Sequence, residues 1–119
     1  MDKETEIKLI RRIQLWKHNQ LLGSNPTAVC VLFCLEIEEM SPKQISYYLR
    51  CESSANLQCS ATKNLVKFGW INERIVNEVL VKKRFSMNPK GKAFLEKAKL
   101  LESDLLEARE KMFQKNKNG

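Results

Sequence analysis

Ile7, Leu9, Ile10, Ile13 and Trp16 recur at intervals of mostly three and four near the start of the chain. That period predicts an amphipathic helix over residues 3–22. Gly23-Ser24-Asn25-Pro26 interrupts it, because Gly suits the position after a helix end and Pro fits the first turn of the next helix. Residues 26–39 are apolar on most sides, through Val29, Val31, Leu32, Phe33, Leu35 and Ile37, so a second helix there should be central. Ser41-Pro42-Lys43-Gln44 starts a third, with Ser as N-cap, Pro at the first helical position and Gln placed for a capping box. It should end near Arg50. Ser53 or Ser54 then caps a fourth helix, which runs to about Phe68 and stops at Gly69.

After Gly69 the period shortens to two. Residues 70–76 and 79–87 are rich in β-branched and aromatic side chains and predict a β-hairpin, with Asn77-Glu78 as a weaker turn signal than Asn-Gly. In the second strand Val79, Val81, Phe85 and Met87 share one face, with Lys83 the exception, while Leu80, Lys82, Arg84 and Ser86 share the other. Asn88 caps a last helix opened by Pro89. Along it Phe94, Ala98, Leu101, Leu105, Ala108 and Met112 alternate spacings of four and three, a heptad seam widened by Leu95, Leu106 and Phe113. Such a seam calls for a partner surface, either the chain's own first helix or a second copy. Residues 114–119 should fray. The expectation is a mainly α chain with one small β-hairpin, an α+β arrangement in a single domain over residues 1–119.

Composition adds little until charge is placed on these elements. Apolar residues make up 43% and charged residues 29%, the balance of an ordinary soluble protein with a core large enough to fold without staples. The longest apolar run, Ala28–Leu35, is far short of the ~20 residues that span a bilayer. The acidic, polar N-terminus is unlike a signal peptide, so a cytoplasmic location away from membranes is expected. The net charge is +7, from 21 basic and 14 acidic residues. Residues 41–92 alone carry ten basic side chains against three acidic ones, whereas residues 24–40 carry only Glu36, Glu38 and Glu39. Clustered charge of this sign concentrates a polyanion and releases its counterions on contact.

The order helix, helix, short helix, longer helix, hairpin, helix is that of a winged helix-turn-helix, and three segments sharpen the likeness. Phe68-Gly69-Trp70-Ile71 resembles the place where MarR-type regulators end the recognition helix and enter the wing. Ser86-Met87-Asn88-Pro89-Lys90-Gly91-Lys92 is similar to the Thr-Pro-Lys-Gly-Arg junction that opens that family's last helix. Ser41–Leu49 resembles its first motif helix, with small Ser46 where the two motif helices cross. The resemblance implies a winged helix-turn-helix core over 26–88 and dimerisation helices at 3–22 and 89–113, with Ile10, Ile13, Phe94, Leu101, Leu105 and Met112 at the subunit contact. It also implies a homodimeric, sequence-specific regulator of transcription, a repressor by expectation, acting on a pseudo-palindrome in double-stranded DNA. Three departures stand out. Leu49 to Gly69 is about two residues longer than the pattern, Arg50 replaces a common Gly, and Val76-Asn77-Glu78-Val79 replaces the family's charged wing tip.

On the fourth helix Leu57, Ala61, Leu65 and Phe68 are spaced for the core, leaving Ser53, Ser54, Asn56, Ser60, Lys63, Asn64 and Lys67 outward. Asn reads adenine, Lys suits guanine or phosphate, and Ser serves either role. Arg74, Lys82 and Arg84 on the hairpin should approach the DNA backbone or minor groove, and Lys43 and Gln44 sit at a helix start that favours phosphate. A merely polar face is the alternative. Cys30 and Cys34 fall on the apolar helix as small hydrophobes. No Cys-x-x-Cys occurs and His18 is the only histidine, so neither metal nor other cofactor is expected. Cys59 lies near the outward face beside Lys63, where a lowered pKa would make it a redox sensor. Trp16 and His18 serve packing, or else line a small-molecule effector site. No nucleophile–base set, phosphate loop or carboxylate pair indicates an enzyme. Two other functions fit the same chain. One is a plasmid or phage protein for replication, partition or nucleoid organisation, and the other is a winged-helix module that binds protein.

Overall fold

The computed structural model describes residues 1–18, 26–49, 62–77, 79 and 82–118, with backbone alone at 26 and 113–118. The elements, in order, are α1 (Lys3–Lys17), α2 (Pro26–Ile37), α3 (Pro42–Leu49), α4 (Lys63–Lys67), β1 (Ile71–Asn77), β2 (Lys82–Met87) and α5 (Pro89–Asn118). Residues 50–61, which include the expected start of the fourth helix, lie outside the described residues, as do 19–22 of the first.

Local chemistry sets the helix boundaries. Asp2 caps α1, its carboxylate accepting from the Thr5 backbone N–H at 2.7 Å, and that bond holds the Asp2 carboxyl below its ordinary pKa. Glu4 and Glu6 in the first turn and Lys17 in the last complement the helix dipole. At α3 the capping box is complete. The Ser41 N–H donates to the Gln44 side-chain oxygen at 3.0 Å, and the Gln44 N–H donates to Ser41 Oγ at 3.3 Å. Helix α4 ends in a Schellman motif, with Gly69 N–H donating to Val66 O and Trp70 N–H to Leu65 O, both at 3.0 Å. Gly69 takes the positive φ, +77°, that this motif demands.

The core is built around α2. Every side chain from Val29 to Leu35 is at most 7% exposed, so this helix is covered on all sides. Leu9, Ile13 and Trp16 of α1, Ile45 and Leu49 of α3, Leu65 of α4, Ile71 and Phe85 of the hairpin, and Leu95 and Ala98 of α5 complete it. Cys30 and Cys34 are fully buried and unbridged, and burial pushes the Cys34 thiol pKa well up. Helix α2 ends two residues before the expected Glu39. Met40 instead pairs with β2, donating to Phe85 O at 3.1 Å and accepting from the Phe85 N–H at 2.7 Å, which gives the hairpin a one-residue third strand.

Strands β1 and β2 pair antiparallel from Ile71↔Met87 to Asn77↔Lys82, with a register shift between Ile75 and Asn77. Val79 was expected on the inward face of the second strand; it sits in the turn instead, 90% exposed. The cause is local. The Asn77 side chain accepts from the Val79 N–H at 3.0 Å, an Asx turn that holds Val79 in the turn. Within β2 Phe85 is buried and Lys82 exposed as expected, while Lys83, Arg84, Ser86 and Met87 are all half-buried.

Asn88 then caps α5, accepting from the Gly91 N–H at 3.0 Å, while its amide nitrogen donates back to Gly69 O. A Cβ at Gly91 would stand 2.1 Å from the Trp70 carbonyl oxygen, so the strand-to-helix junction closes only around glycine. Phe94 stacks on Trp70 with ring centroids 4.2 Å apart. Further along, Glu102 is 8% exposed and binds two residues of α1: the Arg12 guanidinium at 3.0–3.1 Å and the Trp16 indole N–H at 2.8 Å. Arg12 also lies 4.6 Å from the centre of the Phe33 ring. Of the residues expected at a subunit contact, Ile13 is thus in the chain's own core and Phe94 is packed on Trp70.

Candidate nucleic-acid interface

The described part of α4 points Leu65 inward and leaves Lys63, Asn64 and Lys67 exposed. Lys63 and Lys67, four residues apart, share one face. Ser53, Ser54, Asn56, Cys59 and Ser60 lie outside the described residues, so the proposed redox site and the first half of the base-reading set have no position here. Lys63 also lines a shallow groove of about 50 Å³ between α4 and the hairpin, with Thr62, Val66, Glu73, Lys83 and Phe85.

On α3 Lys43 and Gln44 are exposed as expected, but the Gln44 side-chain oxygen is engaged in the cap. Beside them stands Tyr47, 67% exposed and edge-on to the half-buried Tyr48 ring at 5.2 Å. Sequence reasoning passed over Tyr47. The available signal was its place four residues after Lys43, on the helix face opposite Ile45 and Leu49. Ser46 is buried where a close helix crossing was expected.

The hairpin cations divide into groups. Lys82 is exposed and makes no ion pair among the described residues. Lys83 pairs with Glu73 at 2.8 Å. Arg74 and Arg84 both donate to Glu39, at 2.5 and 2.9 Å. The hydrogen bond from Arg74, followed by that from Arg84, holds the Glu39 carboxyl below the ordinary carboxylate pKa, and the same contact raises Arg74. Sequence alone did not couple Glu39 to either arginine, because 35 and 45 residues separate them.

Away from this face, a cleft of about 450 Å³ opens between α1 and α2, lined by Thr5, Lys8, Leu9, Arg11, Arg12, Phe33, Glu36 and Ile37. Trp16 is not in its lining, being buried against Glu102 and Phe33. Among the described residues no cluster of His, Cys, Asp and Glu is arranged to hold a metal, and no helix is long and apolar enough to cross a membrane.

No family model matches the chain, and no curated protein matches it in sequence. Solved structures do match it in fold. The adhesin competence repressor AdcR of Streptococcus pyogenes aligns with 97% of this chain and 84% of its own at a TM-score of 0.63 and 20% identity. A C-terminally His-tagged form of that repressor gives 0.61 over 95% and 81%, again at 20% identity. A transcriptional regulator of the MarR family from Enterococcus faecalis V583 aligns over 100% of this chain and 96% of its own, with a TM-score of 0.55 and 18% identity. The chain therefore has the winged-helix fold of MarR-type regulators, running through both flanking helices as well as the central motif.

Proposed function

We propose that this protein is a sequence-specific double-stranded DNA-binding regulator of transcription, a repressor that acts as a homodimer on a pseudo-palindromic operator. The observation that carries the reading is that the outward side chains of the motif and wing elements are largely basic. Lys63, Asn64 and Lys67 of α4, Lys43 and Tyr47 of α3 and Lys82 of the hairpin are each exposed, on the motif and wing elements of a fold shared with transcriptional regulators. Asn64 and the lysines of α4 meet base edges and flanking phosphates in a major groove, and Lys82 holds the backbone beside it. Self-association rests on α5, where Leu101, Leu106 and Met112 are each 47–67% exposed.

Selection of bound duplexes from a random pool, alongside the mass of the protein in solution, tests this reading. A recovered site with two related half-sites and a dimeric mass is the expected result. Lys63→Ala with Asn64→Ala should reduce binding to the selected site more than to random duplex, while Lys82→Ala should weaken both about equally and flatten the salt dependence by about one unit. Equal affinity for random duplex and the best selected site at physiological salt would defeat the claim to regulation. Repeated arrays as the only bound sites would point to replication or partition, and failure to bind any duplex at low salt would leave the protein-interaction reading.

A further inference from the structure

Arg74 and Arg84 stand directly opposite each other across the hairpin. Two like charges at such a position repel. A single carboxylate relieves the repulsion: Glu39 Oε1 accepts from Arg74 Nη2 at 2.5 Å and from Arg84 Nε at 2.9 Å. The carboxylate is held close to the hairpin, because the next residue, Met40, is hydrogen-bonded to Phe85 in both directions. The two arginines are tethered differently. Arg84 is 35% exposed and donates a second bond, from Nη2 to the Glu39 backbone oxygen at 2.9 Å. Arg74 is 62% exposed and, among the described residues, is held by the carboxylate alone.

To a guanidinium, a carboxylate and a phosphodiester offer the same kind of anionic oxygen. We propose that Glu39 is an internal competitor for the hairpin arginines. It takes the place of a DNA phosphate on Arg74, so the hairpin grips DNA less strongly than its basic count implies. The inference rests on the DNA-binding reading and adds a determinant of specificity to it. An exposed ion pair of this kind is weak and exchanges readily, so Arg74 is restrained rather than removed. The restraint falls on the sequence-independent part of binding, which phosphate contacts supply, and leaves discrimination to α4.

A double-mutant cycle tests it, using the full chain as wild type, Glu39→Gln, Arg74→Ala and the double variant. Glu107→Gln, an equal change of charge on α5 in a residue paired with Lys111, is the control. Glu39→Gln should bind random duplex about five- to tenfold tighter at physiological salt, with a salt slope steeper by about one unit, one added phosphate contact. Glu107→Gln should shift affinity by less than about twofold, as a distant screened charge does. Arg74→Ala should cost about twofold or less in the wild type and about fivefold or more in the Glu39→Gln background. Thermal melts confirm that each variant is folded, and Arg84 keeps its backbone bond throughout.

Tightening no greater than the control's, or an equal cost of Arg74→Ala in both backgrounds, overturns the proposal. Weakened binding of folded Glu39→Gln would make Glu39 a support for the hairpin and overturn it too. Elution from immobilised heparin separates this question from the DNA reading. If the protein binds no duplex, later elution of Glu39→Gln that Arg74→Ala cancels still upholds the competition, and its absence rejects it.

Discussion

Two glycines show how differently one residue type can be used. Gly69 has open space where a Cβ would go, so its role is purely conformational, the positive φ of a helix end. Gly91 has ordinary helical backbone, but a Cβ there would collide with the Trp70 carbonyl. Gly69→Ala should therefore cost about 1–2 kcal/mol, and Gly91→Ala about 3 kcal/mol or more, in urea unfolding. Glu102 is the other residue on which much depends. It is the buried acceptor for both Arg12 and Trp16, so Glu102→Ala strands an indole N–H and a half-buried guanidinium together. A loss of about 3 kcal/mol is expected, while Glu102→Gln, which keeps an acceptor for the indole, should lose less.

Several helix caps and stops were written into the local sequence, while the elements' partners were not. The acidic run at the end of α2 opposes the helix dipole, which favours cations there. Ion pairs offset that cost at each of the three carboxylates: Glu36 to Lys99 of α5, Glu38 to the N-terminal amine at 3.9 Å, and Glu39 to both hairpin arginines. The contact from Glu36 raises the Lys99 pKa. What composition shows only as a patch of negative charge thus positions α1, α5 and the hairpin around the central helix. Asn88 plays a similar part at the hairpin exit, joining the start of α5 to the end of α4 through Gly69. Asn88→Ala should lower stability by about 1–2 kcal/mol, and amide hydrogen exchange should show faster opening in the first turn of α5 than at its centre.

At the scale of the molecule the outstanding feature is length. The chain measures 64 × 27 × 24 Å with a radius of gyration of 16.0 Å. A compact chain of this size would have about 13–14 Å. Helix α5, 30 residues and so about 45 Å long, accounts for the difference. Its apolar stripe packs on the core through Phe94, Leu95, Ala98 and the half-buried Leu105, while Leu101, Leu106 and Met112 are largely exposed. Part of the heptad seam therefore packs within the chain, and Leu101 and Met112 are left available to a second copy. Leu101→Glu with Met112→Glu should halve the mass measured by light scattering and leave the helical circular dichroism unchanged. A dimer that survives this pair of charges would move the self-association surface elsewhere.

Much of this was legible in the amino-acid order, and the division has a physical basis. Caps, stops and periodicities depend on neighbours within four residues, which is why Ser41 with Gln44, Gly69, Asn88 and the central α2 were all readable. The same locality identified Lys63, Asn64, Lys67 and Lys82 as outward, because burial of Leu65 and Phe85 places their neighbours outside. The Asx turn at Asn77 is local as well, and it puts Val79 in the turn rather than on the second strand. Pairings across the chain had no such signal. That Arg12 and Trp16 would converge on Glu102, or that one carboxylate would hold both hairpin arginines, depends on how α1, α2, α5 and the hairpin pack. Charge counting gives each arginine the same weight, whereas the fold decides which basic side chains face solvent free of a carboxylate. The sequence by itself determined the elements, their order and the sign of the surface, since these follow from short-range chemistry. Tertiary structure alone decided which charges remain to meet a partner and which apolar side chains of the last helix stay uncovered, because both depend on contacts between residues far apart in the chain.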